Sequence, residues 1–302
     1  MNPSIRLRAF AKINLGLKIL GKRHDGYHEI RTVYQAITLH DRLGLTLTRR
    51  QGITIRCQEP AIPTGPGNLV YRACEGWMRA RRWRGGIRAD LEKRIPVGAG
   101  LGGGSSDAAA ALAGLERLTG EKLSATERFR LLSDLGSDVP FFLVGGRALG
   151  CGRGEEIYPL ADLPRRHCLV VYPRFQIRTP EAYQQAGLKL TSSGKDPKVN
   201  TFGVWSQFPL EGWGPAENDF EAFVFAKWPE LERIKSQFIR AGAEIASLTG
   251  SGSAIYAIFD SIRQLIQASK LVPEGWSVFR AQSLSRQRYY RMMFDSWEVV
   301  QR

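Results

Sequence analysis

The chain has 302 residues, 43% of them hydrophobic, enough for about two packed domains and too apolar for wholesale disorder. No apolar stretch reaches the roughly 20 residues of a membrane span, and the basic start MNPSIRLRAFAKIN lacks the apolar segment of a signal peptide. The formal charge of +14 suits a nucleic acid, a polyanionic small substrate or only a well-solvated surface.

Residues 5–20 alternate loosely and read as one strand or two short ones. GKRHDGYHEI follows as a turn-rich loop, and residues 30–40 read as strand. LGLTLTRR and ITIRCQ alternate with period two around a Gln51-Gly52 turn, so the first third is expected to be mostly antiparallel β. Leu69–Ala80 reads as helix, IRADLEK as strand, and a helix is expected from about Ser105 to Leu118. SATERFRLLSDLG carries Ser124 and Glu127 at capping-box spacing. Two short β runs, RALGCG and EEIYPL, lead to a hinge at residues 159–167. Beyond it, HCLVVYP reads as strand, and TPEAYQQA as a helix with Thr179 as N-cap and Pro180 at its first position. Residues 187–216 read as loop, followed by two helices broken before Pro229. EIASLTGSGSAIYAIF reads as strand, glycine turn and strand; a helix and a last strand follow. The order strand, helices, two strands, helix, strand predicts a ferredoxin-like second half.

Four cysteines, Cys57, Cys74, Cys151 and Cys168, form no CxxC pair and read as reduced thiols rather than a disulfide framework or zinc site. A cytoplasmic protein is the expectation. Residues 72–94 hold eight basic and three acidic side chains around Trp77 and Trp83. Aromatic interleaving of this kind can serve single-stranded nucleic acid. The plainer reading is a helix with its indoles inward and its arginines in water.

The chemistry concentrates in PVGAGLGGGSSDAAAAL, residues 96–112. A Walker loop needs a Lys after its last Gly, and here Ser105-Ser106 follow Gly104. Gly98, Gly100 and Gly103 fit GxGxxG, yet a second helix rather than a strand follows the first, so no dinucleotide-binding βαβ unit is present. What remains is a glycine loop feeding a helix N-terminus, whose free N–H groups and dipole suit a phosphate. Ser105 and Ser106 offer hydroxyls to phosphate or metal. Asp107 is expected in the first helical turn, facing away from the anion.

This stretch closely resembles the second motif of the GHMP kinases, and Leu248–Ala254 (LTGSGSA) looks like their third. AKINLGLKILGKRHDGYHEIRTVYQAI, GSDVPFFL and NDFE resemble one branch of that superfamily, whose acceptor is a cytidine-diphosphate methylerythritol. The similarity spans about residues 6–293. It implies an α+β protein of two domains: an N-terminal mixed α/β ATP-binding domain over 1–160, a ferredoxin-like domain over 161–302 with an unassigned tail at 294–302, and the active site in the cleft between. The implied reaction moves the γ-phosphate of ATP to the 2-hydroxyl of the methylerythritol unit, in the non-mevalonate isoprenoid route. A sister kinase acting on homoserine or mevalonate is the alternative.

The resemblance also assigns roles. Lys12 and Asp138 match the catalytic pair: a carboxylate takes the hydroxyl proton and an ammonium favours the developing alkoxide. Asn68, Leu69 and Lys93 match positions flanking the adenine. Pro96, Val97, Gly98, Ala99, Gly100, Leu101, Gly102, Gly103, Gly104, Ser105 and Ser106 should wrap the ATP phosphates. Tyr27 and His28 match a cytidine clamp, with Tyr183 on the other face of the base. Asn14 and Thr179 should help hold the acceptor, and Gly250, Ser251 and Gly252 should close over the transferring phosphate or the substrate diphosphate. Mg²⁺ is expected with ATP, although no acidic metal ligand is evident in the loop. The expected partners are these two polyanionic small molecules, with neither nucleic acid nor membrane, and the protein a monomer or homodimer.

Overall fold

The structure, a computed structural model, describes residues 2–178, 180–184 and 217–294. In its first element pair the single-strand reading of residues 5–20 holds, and residues 30–40 and LGLTLTRR, read as two strands, run together as one. β1 (Ser4–Lys22) and β2 (His28–Thr48) are two unbroken strands paired antiparallel along their length. Register shifts between Phe10 and Lys12, Asn14 and Gly16, and Ile19 and Gly21 bend the ribbon without ending it. The free edge of β2 is divided. Its Thr32–Gln35 part pairs with β5 (Arg147–Cys151), and its Arg42–Thr48 part pairs with β4 (Gly86–Glu92).

The first third is mostly antiparallel, as expected, and β3 (Gly52–Cys57) is its exception. It pairs parallel with β4 and not with β2, because β4 is inserted between them. A parallel pair needs a crossover, and α1 (Leu69–Arg81) supplies it. β6 (Glu156–Pro159) adds the other edge, giving the path β3-β4-β2-β5-β6 with β1 on β2.

α1, α2 (Gly103–Thr119) and α3 (Ala125–Leu135) cover one face of this sheet. The alanine run of α2 has a packing reason. Ala108, Ala109, Ala110 and Ala111 are all buried, and a Cβ on Gly114 would come within 2.7 Å of Leu7 and Leu45, so the helix lies close against β1 and β2. The Ser124–Glu127 capping box forms as expected. Trp77 is fully buried and its indole N–H donates to the Glu121 carbonyl at 3.2 Å, with Trp83 packed beside it. Arg79 points into solvent. A buried indole has no face for a base, so the plainer reading of this segment holds.

A short helix, α4 (Phe141–Val144), precedes β5. The second sheet has order β10-β7-β9-β8, all antiparallel, from β7 (His167–Tyr172), β8 (Ile245–Leu248), β9 (Ile255–Phe259) and β10 (Ser277–Gln282). Residues 180–184 are helical, and α5 (Glu221–Lys227), α6 (Pro229–Arg240) and α7 (Ile262–Ser269) complete the ferredoxin-like pattern. The two sheets share a core of their own, in which Ile13, Leu15 and Val33 of the first meet Val170, Tyr256 and Ile258 of the second. α8 (Arg286–Phe294) returns to the first sheet, where Tyr289 and Met293 join the core under α2. The expected loop over 187–216 and the tail 295–302 lie outside the described residues, as does Thr179.

Candidate active site

The bulges of β1 aim Lys12 and Asn14 at one spot between the sheets. Lys12 is buried, and its backbone N–H donates to Leu101 O of the glycine loop rather than to β2 (3.0 Å). Its ammonium lies 3.1 Å from Asp138 Oδ2 and donates to Asn14 Oδ1 at 2.7 Å. Asn14 Nδ2 in turn donates to Thr32 Oγ1 (2.7 Å). Lys12 and Asp138, 126 positions apart in the chain, are thus brought together as the sequence predicts.

Tyr34 belongs to this cluster and was legible only as a strand residue. It is the register partner of Asn14, and its hydroxyl donates to Asp138 Oδ1 at 2.9 Å. Burial first, and the Asp138 charge second, push its phenol well above the ordinary value, so it stays a donor. Asp138 therefore has one oxygen on Tyr34 and the other beside Lys12, while its side chain remains 34% exposed toward the cleft. The one signal in the sequence is a tyrosine on the same strand face as Thr32, opposite Asn14.

At the nucleotide end, three glycine-loop carbonyls turn inward. Ala99 O accepts from Ala254 N (3.3 Å), Gly100 O from Thr249 Oγ1 (3.1 Å), and Leu101 O from Lys12 N. A Cβ at Gly100, where φ is +78°, would fall on the Thr249 carbonyl oxygen; the loop and the Gly250 turn touch backbone to backbone. Gly102 caps α2 without a side chain, and the first helical bond runs from Ser106 N to Gly102 O (2.9 Å). The N–H groups of Gly103, Gly104 and Ser105 precede that bond and have no helical carbonyl to meet. Ser106 Oγ is buried and unpartnered. Pro96, Val97 and Gly98 lead into this cradle, with Tyr172 OH on Val97 O at 3.4 Å.

Two residues read as adenine neighbours have other engagements. Asn68 is the N-cap of α1: Oδ1 accepts from Val70 N and Nδ2 donates to Pro63 O, each at 2.8 Å. Lys93 is held between Asp41 and Asp107. Burial alone would lower its pKa, but the two carboxylates more than offset that and raise it. Leu69 does lie beside the loop, 3.7 Å from where a Gly104 Cβ would stand. Asp107 is also a correction. The helix begins at Gly103, two residues earlier than expected, so Asp107 falls beyond the first turn and is buried on Lys93. Burial, and then the Asp41 charge, push its carboxyl well above the usual range.

At the acceptor end, the hairpin tip carries Tyr27 and His28. His28 stacks on Tyr183 (centroids 4.8 Å apart, planes at 18°), and Phe220 meets the edge of Tyr183. Burial, with Lys22 nearby, lowers the His28 pKa, which keeps the imidazole neutral. Burial first, and the Asp138 charge second, push the Tyr183 phenol upward. Tyr27 is not paired with Tyr183. Its ring is 53% exposed and lies under the Arg153 guanidinium, 4.7 Å from the centroid.

The NDFE segment is a latch. Leu17 N donates to Glu217 O and Asp219 N to Leu17 O, fastening this segment to β1. Asn218 Nδ2 donates to both Leu248 O and Gly250 O (2.9 Å each), and Glu221 Oε1 accepts from Ser247 Oγ and Leu248 N. The turn Gly250–Gly252 is thereby held over Lys12: a Cβ on Gly250 would stand 3.5 Å from its ammonium. Ser251 belongs to the same turn and is nearly buried.

An uncapped helix N-terminus beside a carboxylate–ammonium pair suits phosphoryl transfer to a small molecule, and similarity to known proteins gives the class. The family description "GHMP kinases N terminal domain" matches residues 68–146, and "GHMP kinases C terminal" matches residues 211–271. The 4-diphosphocytidyl-2-C-methyl-D-erythritol kinase of Solibacter usitatus (strain Ellin6076) is 43% identical over 94% of this chain and 90% of its own. Its counterpart from Lachnoclostridium phytofermentans is 35% identical over 98% and 99%. A crystal structure of 4-(cytidine 5'-diphospho)-2C-methyl-D-erythritol kinase superposes with a TM-score of 0.71 at 32% identity, covering 92% of this chain and 99% of that one. Homoserine kinase from Cytophaga hutchinsonii shares the fold at 18% identity, with a TM-score of 0.68. The chain belongs to the 4-diphosphocytidyl-2-C-methyl-D-erythritol kinase family.

Proposed function

We propose that this protein transfers the γ-phosphate of ATP to the 2-hydroxyl of 4-diphosphocytidyl-2-C-methyl-D-erythritol, with Asp138 as general base. The observation that carries the assignment is the Asp138 environment. Its two oxygens are oriented by Tyr34 and Lys12, yet a third of the side chain stays exposed, and Lys12 beside it is bonded to the glycine loop through Leu101 O. A hydroxyl placed there gives its proton to Asp138 while its oxygen attacks the γ-phosphorus in line, and ADP leaves. Lys12 stabilises the developing alkoxide, and the N–H groups of Gly103, Gly104 and Ser105 hold the phosphates in place. The Gly250–Gly252 turn closes over the transferring group. The neutral His28, with Tyr183 and Tyr27, recognises the cytosine.

Mg²⁺ bound with ATP supplies charge neutralisation at the phosphates, and the buried, unpartnered Ser106 hydroxyl is the group in the cradle that fits it. We place the domain division near residue 160, supported by the separate sheets on either side. Four unpaired cysteines suit a reducing, cytoplasmic setting, and among the described residues no helix is long and apolar enough to cross a membrane.

Purified protein with ATP, Mg²⁺ and the cytidine-diphosphate substrate is expected to release ADP; no ADP above background overturns the assignment. CMP should compete with the acceptor. A sister kinase acting on homoserine or mevalonate would ignore it.

A further inference from the structure

Beneath the glycine loop lies an ion-pair bridge that the chemistry itself does not use. Asp41, on β2, is completely buried. Its Oδ1 accepts from the backbone N–H groups of Arg94 (2.5 Å) and Ile95 (2.8 Å), and its Oδ2 meets the Lys93 ammonium. Lys93 Nζ also donates to Asp107 Oδ2 at 2.7 Å, in the second turn of α2. Residues 93–95 are the exit from β4 that feeds Pro96 and the loop. Asp107 stands one residue past Ser106, just behind the free N–H groups. A Cβ on Gly103 would stand 3.2 Å from Lys93 Nζ, so the ammonium supports the first helical residue from below.

One carboxylate thus gathers three elements: the long strand, the loop entry and the phosphate-facing helix. The bridge is closed to water, since the Asp41, Lys93 and Asp107 side chains are 0%, 6% and 3% exposed. Breaking a buried pair leaves an uncompensated charge, which is strongly unfavourable, so the bridge tolerates few geometries. Backbone donors aimed at phosphate act through being set in advance, and a shift of about 1 Å in such a group is enough to weaken a site. The acceptor end shares none of these contacts. Its rings belong to the hairpin tip, to the helical residues 180–184 and to the start of α5.

We propose that Asp41 is a positioning residue for ATP, holding the glycine-loop entry and α2 in register through Lys93 and the N–H groups of Arg94 and Ile95. This rests on the kinase reading above. Asp41→Asn, assayed beside the unchanged enzyme, is expected to raise the KM for ATP about tenfold while the acceptor KM and kcat stay within about twofold. Loss of buried support alone would lower the melting temperature without separating the two substrates. Equal displacement of both KM values, or no displacement, overturns the proposal. If Asp41→Asn gives no cooperative melt, Lys93→Gln decides in its place. It keeps the Asp41 bonds to Arg94 and Ile95 and should raise the KM for ATP about threefold with the acceptor unaffected; an unchanged ATP constant, or an acceptor constant displaced equally, overturns the proposal. An unchanged enzyme that releases no ADP instead refutes the kinase reading.

Discussion

At the proposed nucleotide end of the cleft, the groups left open are the backbone N–H groups at the start of α2, and the side chains around them are buried: Lys12, Ser106, Asp107 and Asp41. At the proposed acceptor end the open groups are side chains on a hairpin tip, where Tyr27 is half in solvent and His28 reaches across to Tyr183 on another element. A triphosphate looks the same in every kinase, so its site can be rigid backbone set by packing. A cytidine must be told from other acceptors, and that takes side chains with hydrogen bonds and rings of their own. Lys12 and Asp138 sit where the two halves meet.

The comparison can be broken first at that junction. Asp138→Asn removes the base but keeps the acceptor oxygen for Tyr34, so kcat should fall about 10²- to 10⁴-fold with both KM values little changed. Steady-state ADP release measures this, and a fully active variant removes Asp138 from the mechanism. Next comes the nucleotide end. Gly100→Ala places a methyl group on the Thr249 carbonyl at a positive φ that alone costs about 1–2 kcal/mol. The kcat/KM for ATP should drop by about tenfold or more; retention of full efficiency would show that the loop and the Gly250 turn can part freely.

The acceptor end should respond more mildly and separately. Tyr183→Ala loses an aromatic pair worth about 0.5–1.5 kcal/mol, so the acceptor KM should rise about 2- to 12-fold with the ATP constant unchanged. A change in the ATP constant instead would dissolve the division between the two ends. The pH response sharpens the same point. Because the folded-state pKa of His28 is depressed by burial and Lys22, its neutral form persists below the ordinary histidine value. Acceptor KM measured from pH 8 down to 6.5 should therefore stay flat, and a rise already beginning above pH 6.5 contradicts a neutral His28. The smallest effect belongs to Asn68. Asn68→Ala removes a helix cap worth about 1 kcal/mol and should lower the melting temperature by about 2–4 °C with kinetics intact. A raised KM for ATP without a lower melting temperature would instead favour Asn68 as an adenine neighbour.

The legibility of these parts follows from how each interaction is written along the chain. The glycine loop, the α3 capping box and the ferredoxin-like order are local or periodic signals, and all three stand in the structure. The β3–β4 pairing was misread because strand partners are chosen across the whole sheet. β4 fits between β2 and β3 only once α1 has carried the chain over. Tyr34 and Asp41 were missed for a related reason. In the sequence Tyr34 is one residue of an ordinary strand, and Asp41 falls between two strand readings. Their meaning comes from partners about 50 to 100 positions away, Lys93 and Arg94 for one and Asp138 for the other. Lys93 shows the converse: its motif position was visible, but two carboxylates from different elements hold its ammonium.

By itself, then, the sequence determined the family and the α+β plan and pointed to Lys12 and Asp138, which the fold brings together, because periodicity, glycine content and motif order are carried by neighbouring residues. Tertiary structure alone decided which carboxylates hold Lys93 beneath the glycine loop, which hydroxyl orients Asp138 and which ring meets His28. Those contacts depend on where β2 bends and which strands it pairs with, and burial then makes their charges and hydrogen bonds count.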